Sequence, residues 1–218
     1  MSKKANFSHQ HQLFNPENAR PVCQIGAGSV GSYLAYLLAK VGVKDIEVWD
    51  YDVVESHNVP MSLYSPEDIG RSKVDVLKER IRELTGVEII GRHERFTGKE
   101  LFRNVSVIAC VDSMKTRELI WKNVRGNLSV DIFCDTRTSE MYAEAYAING
   151  NDVTDIKRYD HLLFPDKEAV RQVCGRHGIA FATMRTASTV VANLTSFWQT
   201  GKKEWCWRER CDTLGRVD

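Results

Sequence analysis

The stretch VCQIGAGSVGSYLAYLLAKVGVKDIEVWD, Val22 to Asp50, reads as one unit: a buried strand (Val22 to Ile25), a glycine turn (Gly26, Gly28, Gly31), a helix reaching about Lys40, and a second strand (Asp45 to Trp49) ending in Asp50. Each glycine has a physical task. Gly26 permits the tight turn, Gly28 lets backbone N–H groups come close to phosphate, and Gly31 lets helix and strand pack closely. A phosphate there lies on the positive end of the following helix, whose free N–H groups and dipole favour an anion. Asp50, 19 residues beyond Gly31, sits where a carboxylate accepts both ribose hydroxyl protons. A lone glycine turn can be merely structural, but strand, helix, second strand and terminal acid in register point to nucleotide binding.

At 218 residues the chain is long enough for one well-buried α/β domain and too short for two ordinary ones with a linker. With 30 basic and 29 acidic side chains the net charge is +1, so nothing points to a nucleic-acid partner. No apolar stretch has the roughly 18 residues of a membrane span, and the polar start MSKKANFSHQHQ lacks the apolar segment of a secretory signal. A soluble, cytoplasmic protein with no membrane partner is expected. Of the cysteines, Cys23, Cys110 and Cys134 sit in strand-like runs, where a small buried thiol is the usual explanation. No CxxC pair marks a four-cysteine zinc site, and reduced thiols fit the cytosol.

Residues 1–20 read as an arm or short helix, with Leu13-Phe14 able to dock on the domain. After Asp50 comes a loop rich in turn formers. Loops at the carboxyl ends of parallel strands are where ligands bind in this architecture. Ser65 to Asp68 resembles a helix start, and from about Ser72 the apolar residues Val74, Leu77, Ile81 and Leu84 recur at helical spacing. Val87 to Ile90 predicts a third strand, and Val105 to Val111 a central parallel strand ending at Asp112. Lys115 to Asn123 predicts a helix and Ser129 to Cys134 a further strand. From Met141 the period nears two, as in an antiparallel strand with one wet face, and Asn149 to Asp152 is a turn. Residues 153–177 read as loop, with a short helix at Lys167 to Val173. Ala180 to Trp198 predicts the last long helix, and the tail around Trp205-Cys206-Trp207 a strand or arm. The expected fold is therefore α/β: a doubly wound, Rossmann-like, mostly parallel sheet with an antiparallel C-terminal extension. The expected organisation is an arm (1–20), one domain (21–200) and a tail (201–218).

Several motifs now stand in order: GAGSVGS, the triplet Asp50-Tyr51-Asp52 with Val54-Glu55, Asn58 eight residues after Asp50, Asp68-Ile69-Gly70-x-x-Lys73-Val74, and Asp112-Ser113-x-x-x-Arg117, with Cys174-x-x-x-Gly178-Ile179 further on. Together they resemble the ThiF/MoeB/HesA superfamily, the adenylating domain shared with ubiquitin-activating enzymes, over about Arg20 to Trp198. The resemblance implies ATP as substrate and Mg²⁺ as cofactor. It also implies a small ubiquitin-like or sulfur-carrier protein as partner, and a homodimer. Gly26, Gly28 and Ser29 would approach the phosphates, with Gly31 behind them, and Asp50 would take the ribose. Asp52 and Ser113 fall within the nucleotide-site motifs. Asn58 and Lys73 correspond to residues that position the triphosphate, and Asp112 to the acid that acts with Mg²⁺. Each has a plain alternative: Lys73 would ordinarily be a surface residue and Asp112 a helix cap.

The sequence also departs from the family pattern. Met61 stands where the family places an arginine that contacts phosphate in the transition state, and His9-Gln10-His11-Gln12 replaces an N-terminal arginine pair. The segment between Asn58 and Lys73 is one residue shorter than usual. Adenylation is then carried by substitutes, with Arg71, Arg117 and Arg137 as candidates, or it is impaired and the protein is a nucleotide-dependent interaction module. Cys174 could take up an acyl group, with His177 lowering its pKa, or be a small thiol at the base of the last helix. Cys206 and Cys211, with or without Cys174 and His177, are poorly spaced for zinc. An NAD-dependent dehydrogenase would explain the glycine turn and Asp50 but not Lys73 and Asp112.

Overall fold

Val22–Ile25 and Val105–Ala109 are buried along their whole lengths, as strands covered on both faces must be. In the computed structural model, which describes residues 5–139, 142–164 and 179–211, these runs are β1 and β4, hydrogen-bonded to each other in parallel. Around them the chain forms α1 (Ser29–Lys40), β2 (Ile46–Trp49), α2 (Lys73–Thr85), β3 (Ile90–Arg92), α3 (Met114–Val124), β5 (Val130–Ser139), β6 (Tyr142–Ile148), α4 (Val153–Asp160), α5 (Ala180–Thr200) and β7 (Cys206–Arg210). The sheet has seven strands in the order β3-β2-β1-β4-β5-β6-β7. The first five run parallel, while β6 and β7 are antiparallel additions. The strand order reverses between β1 and β4, so a crevice opens at their carboxyl ends, the place where open α/β sheets bind ligands.

One face of the sheet is covered by α1, α2 and α5, which bury Leu34, Leu38, Leu77, Ile81, Val190 and Leu194 against it. The other is covered by α3 and α4, where Trp121, Phe133 and Tyr159 meet edge to face or tilted within 5.8 Å. The crossover from β3 to β4 contains no helix; stacked Phe96 and Phe102 cover that part of the sheet, with Trp49 edge-on to Phe96. Helix starts follow local chemistry: Ser72, Ser113 and Asp152 each accept a hydrogen bond from a backbone N–H of their helix's first turn.

Some expectations shift. The third strand lies at Ile90–Arg92 rather than Val87 to Ile90, because Gly86 ends α2 in the left-handed conformation and the next residues carry the chain back to the sheet. Ser65 to Asp68 starts only a 3-10 turn, Pro66–Asp68, since Ile69 leaves helical backbone. Residues 153–160, read as loop, form α4; its apolar face is just Ile156 and Tyr159, too short a pattern to register as periodic. In the N-terminal arm Phe14 docks on Trp198, whereas Leu13 is exposed. The helix expected at Lys167 to Val173 lies outside the described residues. Among the described residues no helix is long and apolar enough to cross a membrane.

Midway along β5 a buried charge cluster ties the sheet to α3 and α4. Asp135 is fully buried and accepts from Arg117 Nε (2.8 Å), Arg137 Nε (2.9 Å) and the Tyr159 hydroxyl (3.1 Å). Arg117 also donates to the Thr136 carbonyl, and Arg137 reaches the Leu162 carbonyl. Burial, with the Asp135 charge beside it, pushes the Tyr159 phenol well above its ordinary pKa, so it stays a donor. Removing one partner of a buried pair leaves the other unpaired. Asp135→Ala is therefore expected to destabilise the fold by about 3–5 kcal/mol, read from the urea midpoint.

Candidate functional site

The glycine turn leaves β1 at the crevice, and its three glycines meet different constraints. Gly26 has φ +102°, and a side chain on it would collide with the Cys110 carbonyl at the end of β4. A side chain on Gly31 would collide with the Gly26 carbonyl. At Gly28, by contrast, a Cβ would find nothing within 4 Å. The fold therefore explains two glycines and leaves the third unexplained. Gly28 is the N-cap of α1 and supplies no capping side chain. Among the described residues no acceptor meets the N–H groups of Gly28, Ser29 or Val30. Uncommitted N–H groups facing open space at a helix N-terminus suit an anion.

The rest of the turn is held firmly. Asp50 Oδ2 accepts from the Ala27 N–H (2.7 Å) and its Oδ1 from the Asp52 N–H (2.8 Å). Burial raises the Asp50 pKa, and these two bonds oppose the shift. Asp50 thus braces the turn, and each carboxylate oxygen keeps accepting capacity for a further donor. The Tyr64 hydroxyl donates to the Ala27 carbonyl (2.6 Å) and lies 3.3 Å from the Lys73 carbonyl.

Lys73 is buried, with Nζ 3.0 Å from Asp52 Oδ2, so it is not the surface residue its place on an amphipathic helix would suggest. A short antiparallel contact between Val53 and Ser72, with the Lys73 N–H bonded to the Asp52 carbonyl, returns the chain to the end of β2. Gly28, Asp50, Asp52 and Lys73 therefore converge on one crevice. Asn58 lies in the 3-10 turn Ser56–Met61; its Oδ1 accepts from the Glu55 N–H, and its amide nitrogen has no acceptor among the described residues. Asp112 follows β4, two residues beyond Cys110, whose N–H bonds the Ile25 carbonyl beside the turn. It is exposed and makes no hydrogen bond or ion pair with the described residues. The cap of α3 is Ser113, so the plain reading of Asp112 as a cap does not hold.

The three candidate replacement arginines are already engaged. Arg71 pairs with Glu79 and Asp68, while Arg117 and Arg137 share Asp135. Met61, at the departing position, accepts through its carbonyl from Thr183 of α5. An arginine that sequence reading passed over, Arg95, stacks 3.7 Å from the centroid of the Tyr51 ring, next to Asp50. Only the aromatic in the triplet hinted at it.

Cys174 and His177 lie outside the described residues. Burial pushes the Cys23 and Cys110 thiols up to about 12 and Cys134 higher still, so none of these is a thiolate near neutral pH. Among the described residues no three His, Cys, Asp or Glu side chains are grouped to hold a metal.

The sequence matches the ThiF family over residues 12–204. It is 36% identical over 101 residues to the NEDD8-activating enzyme E1 catalytic subunit of Arabidopsis thaliana, covering 44% of this chain and 22% of that protein. It is 28% identical over 118 residues to ubiquitin-like modifier-activating enzyme 5 of Drosophila ananassae (46% and 30%). To adenylyltransferase and sulfurtransferase MOCS3 of Aedes aegypti it is 30% identical over 105 residues (45% and 24%). The match thus spans less than a third of each of these relatives. Among solved structures, E. coli MccB with ATP superposes with a TM-score of 0.73 at 14% identity, over 98% of this chain and 70% of that one. PaaA does so with 0.68 at 16%, over 90% and 62%. At these identities the structural likeness is one of fold.

Gly28→Ala is expected to leave the melting temperature within about 2 °C of wild type while weakening ATP binding, whereas Gly26→Ala costs several kcal/mol of stability, on the order of 3 or more; calorimetry on both variants checks the contrast. Alkylation at pH 8 followed by peptide mapping should label exposed Cys206 in the native protein, and Cys23, Cys110 and Cys134 only after unfolding.

Proposed function

Because the chain belongs to the ThiF family, we propose that it is an ATP-dependent adenylyltransferase that activates the C-terminal carboxylate of a small ubiquitin-like or sulfur-carrier protein. The observation that carries this reading is the crevice itself: the unfilled space at Gly28, with free helix N–H groups, beside Asp50 and the buried Lys73. The relatives' names, activating enzymes and an adenylyltransferase, fit the same chemistry.

The reaction needs no general base, because a carboxylate is already anionic at neutral pH. Its oxygen attacks the α-phosphorus of ATP, the bond to the β-phosphate oxygen breaks, and pyrophosphate leaves with the electron pair, so that the partner becomes an acyl-adenylate. What the protein must supply is alignment and charge neutralisation. The N–H groups of Gly28 to Val30 receive phosphate oxygens, and Asp50 orients the ribose. Lys73 is pre-paired with Asp52, within reach of an anion that could draw its ammonium away, and Asn58 offers its free amide nitrogen. Mg²⁺ would offset phosphate charge; such an ion is commonly held by one or two carboxylates and the phosphates themselves, and Asp112, exposed and unpaired among the described residues, fits that donor set. Cys174 is not needed for this step. The working unit is residues 21–200, with an arm before and a tail after, acting as a homodimer.

A second reading has an observation of its own. With Met61 in place of the family arginine, and with Arg71, Arg117 and Arg137 bound in ion pairs, no substitute arginine is free among those three. A protein that binds ATP and a partner without cleaving ATP is consistent with this.

ATP–pyrophosphate exchange in the presence of a partner ending in Gly-Gly separates the two. Exchange is expected, and Asp112→Ala should lower it by roughly 10²–10³-fold. Exchange unaffected by that substitution removes the role given to Asp112, and ATP binding without any exchange favours the second reading.

A further inference from the structure

Gln24 is a polar side chain inside an apolar strand, and it has no exposure to solvent. Its amide nitrogen donates to the carbonyls of Gly26 (2.8 Å) and Gly31 (2.9 Å), which are the first and last glycines of the turn. The orientation of the amide is fixed by chemistry, since turning it over would set its oxygen against two carbonyl oxygens. Its own oxygen, Oε1, is buried without a partner. A buried unpaired carbonyl is costly, and an apolar residue in β1 would avoid it only by leaving the Gly26 carbonyl, which has no other donor among the described residues, unpaired instead. The apolar surroundings of β1 therefore give no reason for glutamine here.

The turn supplies one. Asp50 and Tyr64 hold its middle through the N–H and carbonyl of Ala27, and Gln24 holds its two ends. Between these anchors the N–H groups of Gly28 to Gly31 have no acceptor among the described residues. We infer that Gln24 is a positioning residue for phosphate: by tying both ends of the Gly26–Gly31 turn to β1, its amide sets the direction in which those N–H groups point. The inference rests on the nucleotide reading of the crevice, but not on whether ATP is cleaved. It concerns the phosphates more than the nucleoside, because Asp50, although bonded to Ala27 in the turn, is also held by the Asp52 N–H, and β2 and β3 are held by their own pairing.

Gln24→Met keeps the length of the side chain and removes the amide. Three measurements decide the matter: amide hydrogen exchange of residues 26–31 without ligand, affinity for ATP, and affinity for adenosine. Exchange in the turn should speed up about tenfold while the α5 amides are unchanged. ATP should weaken about tenfold and adenosine less than about twofold. Unchanged exchange in the turn overturns the inference, as do ATP and adenosine weakening in equal proportion. Gln24→Asn, whose amide is one methylene too short to span both carbonyls, should show the same pattern; if Gln24→Met does not fold and Gln24→Asn behaves as wild type, the inference is wrong. A wild-type protein that binds neither ATP nor AMP defeats the nucleotide reading, while the exchange measurement still judges Gln24.

Discussion

The close approach of the glycine turn to the end of β4 is the constraint on which the rest of the structure depends. Gly26 passes so near the Cys110 carbonyl that no side chain fits, and Gly31 sits equally tight on the Gly26 carbonyl. This proximity lets β1 and β4 pair in register while α1 starts directly above their carboxyl ends. The same approach brings the chain just before Asp112 against the turn, whose helix α1 starts without a capping side chain. The crevice is thus a consequence of how tightly two central strands and one helix can be joined.

Polar groups around that crevice fall into two sets with different duties. Asp50, Tyr64 and Gln24 spend their hydrogen bonds on the turn, and Asp135 spends its on Arg117, Arg137 and Tyr159. Buried groups of this kind are stable only when paired, so they are poor candidates for moving onto a ligand. Among the described residues Asp112, the Asn58 amide nitrogen and the first N–H groups of α1 have no partner, and the Lys73–Asp52 pair lies at the edge, where Asp52 is partly open to solvent. The division between committed and uncommitted groups separates scaffold from site more sharply than residue type does, since arginines and acids occur in both sets.

Most of the sheet was legible because its signals are local. Continuous apolar runs marked β1 and β4, a period near two marked β6, and apolar residues at helical spacing marked α2. Local reading failed where the pattern was too short, as in α4, or where a helix cap shifted the next element, as at β3. It also misjudged the arginines. Arg71, Arg117 and Arg137 look equally available in a sequence, but their partners Glu79, Asp68 and Asp135 are brought to them by packing between separate elements.

The sequence by itself determined the doubly wound order of strands and helices and the membership of the ThiF family, and it marked the residues proposed to hold a nucleotide. Those follow from short-range spacing and from motifs in order. The tertiary structure alone decided which of those groups remain free. It buried Lys73 against a carboxylate 21 residues away, left Asp112 open, and closed the three arginines into ion pairs. It also distinguished Gly28, which has empty space before it, from Gly26 and Gly31, which do not. The physical reason is the same throughout: a residue's chemistry is written in its side chain, but its availability depends on partners that only folding brings within bonding distance.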